Sequence, residues 1–199
     1  MLVYLPMTSR LVLLRHGSTE WSIGGRHTGR TDKPLLEHGV RQAEAAGALL
    51  REVGFDEFAL VLTSPLRRAA ETCARAGFAG EEEPDLMEWD YGSYEGLTTD
   101  EIQERRPGWS LWEDGVPEGE TLADVGRRAD RVLARVRGAR GDTLCVAHGH
   151  LLRVLAARWL GLPPVAGRLF MLDAGAVSVL GWDHGWPAVE AWDRRPGAL

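Results

Sequence analysis

The chain of 199 residues has only two cysteines, Cys73 and Cys145, and one lysine, Lys33. Two distant thiols with no second pair exclude a disulfide scaffold and a cysteine zinc site; they read most simply as small buried apolar residues. Positive charge is also scarce. Asp and Glu number 29 against 23 Lys and Arg, a formal net charge of -6, whereas a general nucleic-acid binder is usually basic. No apolar run approaches the roughly 18 residues of a membrane span. The opening Met1-Leu2-Val3-Tyr4-Leu5 is too short for a signal-peptide core and lacks a basic start. The expectation is a soluble, cytoplasmic protein with no nucleic-acid and no membrane partner. Internal repeats and low-complexity linkers are absent as well, so residues 1–199 are expected to form a single domain.

What is present is a strand-then-helix rhythm. Three short β-favouring runs, at 10–14, 59–63 and 143–147, are each followed by helical spacing, at 40–53, 66–76 and 151–160. Further helices are predicted over 98–106 and 122–138, the second with an i,i+4 pair between Asp124 and Arg128. Short strands are predicted at 168–172, 177–182 and 188–192, and the acidic stretch 79–84 reads as a solvated loop. Alternation of this kind predicts an α/β fold, a three-layer α/β/α sandwich on a mostly parallel central sheet.

The first run ends in Arg15-His16-Gly17 and the third in His148-Gly149. Both place an imidazole at the carboxyl end of a strand, where open α/β sheets bind their ligands. Arg67 and Arg68 follow the second run after Ser64-Pro65-Leu66, and Glu88 sits in the aromatic-acidic turn Glu88-Trp89-Asp90-Tyr91-Gly92, whose rings are expected to raise a carboxyl pKa. Phosphoryl transfer needs these parts. Arginine forks bind phosphate oxygens bidentately. A neutral imidazole supplies a nucleophilic lone pair, and a carboxyl group protonates the leaving oxygen. Asp90 and Glu95 compete with Glu88 for the acid role. His148 and His150 form a His-x-His pair that could ligate a metal, but Arg15 beside His16 repels a cation and no Asp cluster completes a site. No metal and no cofactor are expected.

Taken in order, Arg15-His16-Gly17-Ser18-Thr19-Glu20-Trp21-Ser22, Ser64-Pro65-Leu66-Arg67-Arg68-Ala69, Glu88-Trp89-Asp90-Tyr91-Gly92 and Ala147-His148-Gly149-His150 resemble the signatures of the histidine phosphatase superfamily, the phosphoglycerate mutase-like group. The resemblance covers nearly the whole chain. It implies that His16 is the phosphorylated nucleophile, that Arg15, Arg68 and His148 clamp the phosphate, and that Glu88 is the proton donor. Arg68 is the arginine in register, preceding Ala69 and lying four before Thr72, which leaves Arg67 on the surface. Ser18 stands where Glu or Gln is usual in the family, and Ser22 where many members carry Asn. Further segments, among them His27-Thr28-Gly29-Arg30-Thr31-Asp32 and Leu172-Asp173-Ala174-Gly175, are similar to the branch of acid phosphatases and sedoheptulose-bisphosphatase-like enzymes.

That likeness implies a small phosphorylated metabolite as partner, a possible homodimer, and substrate contacts at Gly17, Ser22, His27, Thr28, Tyr91, Gly149 and His184. It also implies a small cap over about 91–121, shorter than the insertion of the mutases. Cofactor-independent phosphatase activity is therefore expected, with a cofactor-dependent phosphoglycerate mutase and a non-catalytic phosphate-binding module as alternatives. Trp21 and Trp89 are expected to wall the pocket, Trp109, Trp112 and Trp159 to pack in core or cap, and His38 to lie on the surface.

Overall fold

The computed structural model describes residues 9–195; the opening pentapeptide lies outside them. A mixed sheet of six strands has the order β3-β2-β4-β1-β5-β6. Its strands are β1 (Leu11–Arg15), β2 (Leu60–Thr63), β3 (Glu81–Glu82), β4 (Thr143–Ala147), β5 (Val177–Asp183) and β6 (Trp186–Arg194). The first four run parallel, and β5 and β6 close the edge antiparallel. The helices are α1 (Glu20–Ile23), α2 (Glu37–Glu52), α3 (Arg67–Arg75), α4 (Thr99–Arg105), α5 (Leu111–Asp114), α6 (Leu122–Gly138) and α7 (Gly149–Trp159).

Strand β1 shows why its apolar run is continuous and not alternating. Leu11 and Leu13 pack with the α6 and α7 side chains on one face, while Val12 and Leu14 pack with Ala46 and Leu50 of α2 and Cys73 of α3 on the other. A parallel strand covered on both faces has no solvent side to leave polar. Both cysteines are buried and unpaired. Among the described residues no helix is long and apolar enough to cross a membrane.

Three local expectations need correction. Residues 168–172 form no strand: a 3-10 turn occupies Pro164–Leu169, and Leu169 and Met171, which gave the apolar look, are 72% and 78% exposed. The acidic loop instead contributes the edge strand β3, paired with β2. Its repulsion is relieved by Arg135 of α6, which bridges Glu81 at 2.8 Å and the buried Glu83 at 2.5 Å. Asp124 does not pair with Arg128. It closes a capping box with Thr121 and meets Arg127, while Arg128 turns inward to Glu120 at 2.7 Å.

Candidate active site

Sheet register assembles the site. Arg15 of β1 is paired with Ala147 of β4, and Thr63 of β2 with Val146, so the residues following these strands stand in a row. His16 and His148 are thereby brought to 5.1 Å between ring centroids. His148 lies beside Ser64, its Nε2 2.8 Å from the Ser64 Oγ. The His16 backbone is fixed from both sides: its N–H donates to Ala147 (2.9 Å) and its carbonyl accepts from Gly175 (3.1 Å). Gly17 has to be glycine because a Cβ there would sit 2.2 Å from the Gly39 carbonyl oxygen, where the first turn of α2 crosses the strand end. The Gly17 N–H donates to Thr72 Oγ1 at 3.1 Å, tying α3 to the same turn.

His16 Nδ1 donates to the Gly17 carbonyl at 2.8 Å. That bond puts the proton on Nδ1 and leaves the Nε2 lone pair open to a cavity of about 450 Å³. Burial, and after it the charges of Arg15 and Arg68, holds the imidazole well below its ordinary pKa, so the ring is neutral at pH 7. His148 is held low in the same direction by burial and then by Arg68.

Arg15 lines this cavity, and one of its Nη1 hydrogens goes to the Leu172 carbonyl. Its Nε is sealed and has no partner, whereas Nη2 donates to no protein atom and is not sealed, which leaves that end of the fork for an anionic oxygen. Gly149 lets the guanidinium lie flat against the start of α7, since a Cβ would come within 3.2 Å of Arg15 Cζ. Arg68, with no exposed surface, sits behind the histidines. Its Nε donates to His148 Nδ1 at 3.1 Å, and its terminal nitrogens donate to the carbonyls of Thr28, Gly29 and Thr31 at 2.8–3.0 Å.

Glu88 reaches the cavity from the turn after the 3-10 segment Pro84–Leu86. Its Oε1 accepts from the N–H groups of Trp89 and Leu151, both at 2.9 Å, and Oε2 from that of His150 at 3.0 Å. Oε2 thus keeps a lone pair for a proton. The two competing acids are occupied elsewhere: Glu95 accepts from the N–H groups of Gly29 and Thr31, and Asp90 accepts from Gly92 and meets Arg30 at 3.5 Å. Behind Glu88, Arg128 donates to the carbonyls of Asp85 and Met87 at 2.7 and 2.8 Å and is fixed by Glu120. This buttress went unread in the sequence because helical spacing offered Arg128 a plausible solvent partner.

Ser22, His27, Thr28, Tyr91 and Gly149 line the cavity. The Ser22 hydroxyl is shared with the Thr19 backbone in the α1 capping box. Gly17 acts through packing and is not on the wall. His184 is not brought in at all: it tops the β5–β6 hairpin with its side chain 92% exposed. Trp21 packs under Lys33 and Trp89 is fully buried; the aromatic wall is made by Trp109 and Trp112 of the 91–121 segment. Among the further wall residues that were missed are His150 and Arg153, which follow His148 along α7. Spacing along α7 was the available signal, since Gly149, His150 and Arg153 share one helical face. Arg67 and His38 are exposed as expected. Among the described residues no group of three His, Cys, Asp or Glu could hold a metal ion.

Paired strand-end histidines, a cavity-lining arginine and an adjacent carboxylate define an anion-handling α/β enzyme. The chain belongs to the histidine phosphatase superfamily (branch 1), whose family model matches residues 11–195. It is 45% identical over 179 residues to an acid phosphatase of Mycobacterium tuberculosis, covering 88% of each protein. It is 37% identical to the sedoheptulose 1,7-bisphosphatase of Saccharomyces cerevisiae, covering 78% of this chain and 69% of that one. A solved structure of an open reading frame from Mycobacterium tuberculosis superposes with a TM-score of 0.89 at 42% identity, covering 94% of this chain and 98% of the other. The protein is a phosphoric monoester hydrolase.

Proposed function

We propose that this enzyme hydrolyses small phosphorylated sugars and related metabolites in two steps through a phosphohistidine, with no cofactor. In the first step the His16 Nε2 lone pair attacks phosphorus, the ester P–O bond breaks, and the departing alkoxide takes a proton from Glu88. In the second, Glu88 takes a proton from water as the water oxygen attacks phosphorus; the P–N bond breaks and Nε2 regains its lone pair. Arg15 and Arg68 supply the fixed positive field for the phosphoryl oxygens, and His148, neutral by burial, adds the dipole of its Nε2–H. The phosphatase names of the relatives support the substrate class, and the wall of Ser22, His27, Thr28 and Tyr91 supports substrate contact there.

The single observation that carries this reading is the pinned, neutral His16 on the wall of the cavity that Arg15 also lines. Residues 91–121 act as the cap: they carry α4 and α5 and bring Thr99, Gln103, Trp109, Ser110, Leu111 and Trp112 to the cavity. Two unpaired thiols fit a reducing, cytoplasmic setting. A homodimer is part of the reading, and Leu169, Met171 and Trp186 are the most exposed large apolar side chains among the described residues.

The test is acid-quench trapping with a labelled phosphomonoester. An acid-labile, base-stable phosphoryl group is expected at His16, and His16→Ala is expected to lose turnover by several orders of magnitude. Label on another residue, or an active His16→Ala variant, overturns the mechanism.

A further inference from the structure

His27 and His150 face each other across the cavity wall with ring planes 5° from parallel and centroids 6.3 Å apart. They come from distant segments, the loop after α1 and the first turn of α7, and Tyr91 packs edge-on against both at 4.9 and 5.9 Å. Each ring has one nitrogen engaged. His27 Nδ1 donates to the Leu97 carbonyl at 2.8 Å, which leaves its Nε2 as a bare acceptor. His150 Nδ1 lies 2.6 Å from the Tyr91 hydroxyl. A phenol O–H is the stronger acid of the two groups, so it donates and His150 carries its proton on Nε2. Burial disfavours the charged form of both imidazoles, so both stay neutral. Neither Nε2 has a protein partner, and neither is among the sealed, unpartnered side-chain atoms; both rings line the cavity that holds His16.

The two rings thus offer opposite functions to the same space, one acceptor and one donor. Both free nitrogens belong to rings on the wall of one cavity, so a hydroxylated substrate there meets an acceptor from His27 and a donor from His150. An alcohol is the group that both gives and takes a hydrogen bond through one oxygen. We propose that His27 and His150 read a hydroxyl of the substrate, making them specificity-determining residues for polyol phosphates over plain alkyl phosphates. The inference rests on the phosphatase reading of this cavity and adds to it the feature that is recognised besides phosphate. Tyr91 serves as the positioning residue that fixes the His150 tautomer.

Glycerol 1-phosphate and n-propyl phosphate expel closely similar primary alkoxides and differ in their hydroxyls. The wild-type protein is expected to favour glycerol 1-phosphate by about tenfold or more in kcat/KM, chiefly through KM. That ratio is expected to collapse toward one in His27→Phe and in His150→Phe, and to fall in Tyr91→Phe. Turnover of both esters with no preference, or a preference that survives both histidine variants, overturns this inference alone. No turnover of either ester by the wild-type protein overturns the phosphatase reading and this inference with it. Should the variants fail to fold, ¹⁵N–¹H correlation of the wild-type histidines decides: Nδ1–H on His27 with Nε2–H on His150 is expected, and the same tautomer in both rings overturns the proposal.

Discussion

Arg68 donates from Nε to Nδ1 of His148 at 3.1 Å, and this contact gives the buried arginine two functions. It fixes His148 as the Nε2–H tautomer, a donor, beside His16. Through its terminal nitrogens it also holds the carbonyls of the 28–31 loop that forms one wall of the cavity. Arg68→Lys keeps the charge but cannot reach His148 and three carbonyls at once. We expect kcat/KM to fall by two to three orders of magnitude, about 3–4 kcal/mol of transition-state stabilisation. Steady-state kinetics on a small alkyl phosphate checks this; a loss of only a few-fold would reduce Arg68 to a scaffold for charge.

Glu88 is the next test, because its three backbone bonds hold the carboxylate whether or not it transfers a proton. Glu88→Gln removes the proposed proton donor. An alkyl phosphate, whose leaving group needs protonation, should lose about a thousandfold, whereas an aryl phosphate with a good leaving group should lose about tenfold. Equal losses on the two esters would assign Glu88 a positioning role.

Much of this site was legible in the chain because its carriers are strand ends. A β-favouring run that stops at His-Gly fixes where an imidazole lies relative to the sheet, and β4 and α6 fall where the residue pattern predicts them. What stayed hidden depends on contacts between distant segments. The pairing of His27 with His150 requires knowing that the loop after α1 meets the first turn of α7. Glu83 becomes buried only because Arg135 comes from 52 residues away. His184 shows the opposite case: the likeness implies a substrate contact there, and the fold sets that histidine on an exposed hairpin tip away from the cavity.

The buried histidines make stability depend on pH in a predictable direction. His16, His27, His148 and His150 all have pKa values lowered by burial in the folded state. The unfolded chain therefore binds more protons than the native one at pH values below about 6.5, the ordinary imidazole value. Their contribution is fully present above that pH and is lost as pH falls toward the folded-state values. Each group changes stability by at most about 1.4 kcal/mol per pH unit. Thermal unfolding should show Tm flat from pH 7 to 8 and falling steadily from pH 6.5 to 5. His150→Phe should shallow that fall; a Tm that rises on acidification would contradict the neutral assignment of these rings.

The balance between hydrolysis and transfer is set by how long water is kept from the phosphoenzyme. A mutase must retain its bisphosphorylated intermediate, turn it over and return the phosphoryl group before water attacks, which requires an enclosing lid. In the cap proposed above, residues 91–121, the α-helices are the seven-residue α4 and the four-residue α5. The next segment, α6, is committed to the core through Val125, Ala129, Val132 and Leu133, so no further chain from that interval can fold over the cavity. Glu88, the group that would activate water, is itself on the cavity wall. We therefore expect 3-phosphoglycerate, primed with 2,3-bisphosphoglycerate, to release inorganic phosphate at least about tenfold faster than it forms 2-phosphoglycerate, a partition of about 1.4 kcal/mol. Phosphate release by colorimetry and 2-phosphoglycerate by an enolase-coupled assay measure the two fluxes in parallel. Interconversion that outpaces phosphate release would show that this short lid excludes water well enough for a mutase.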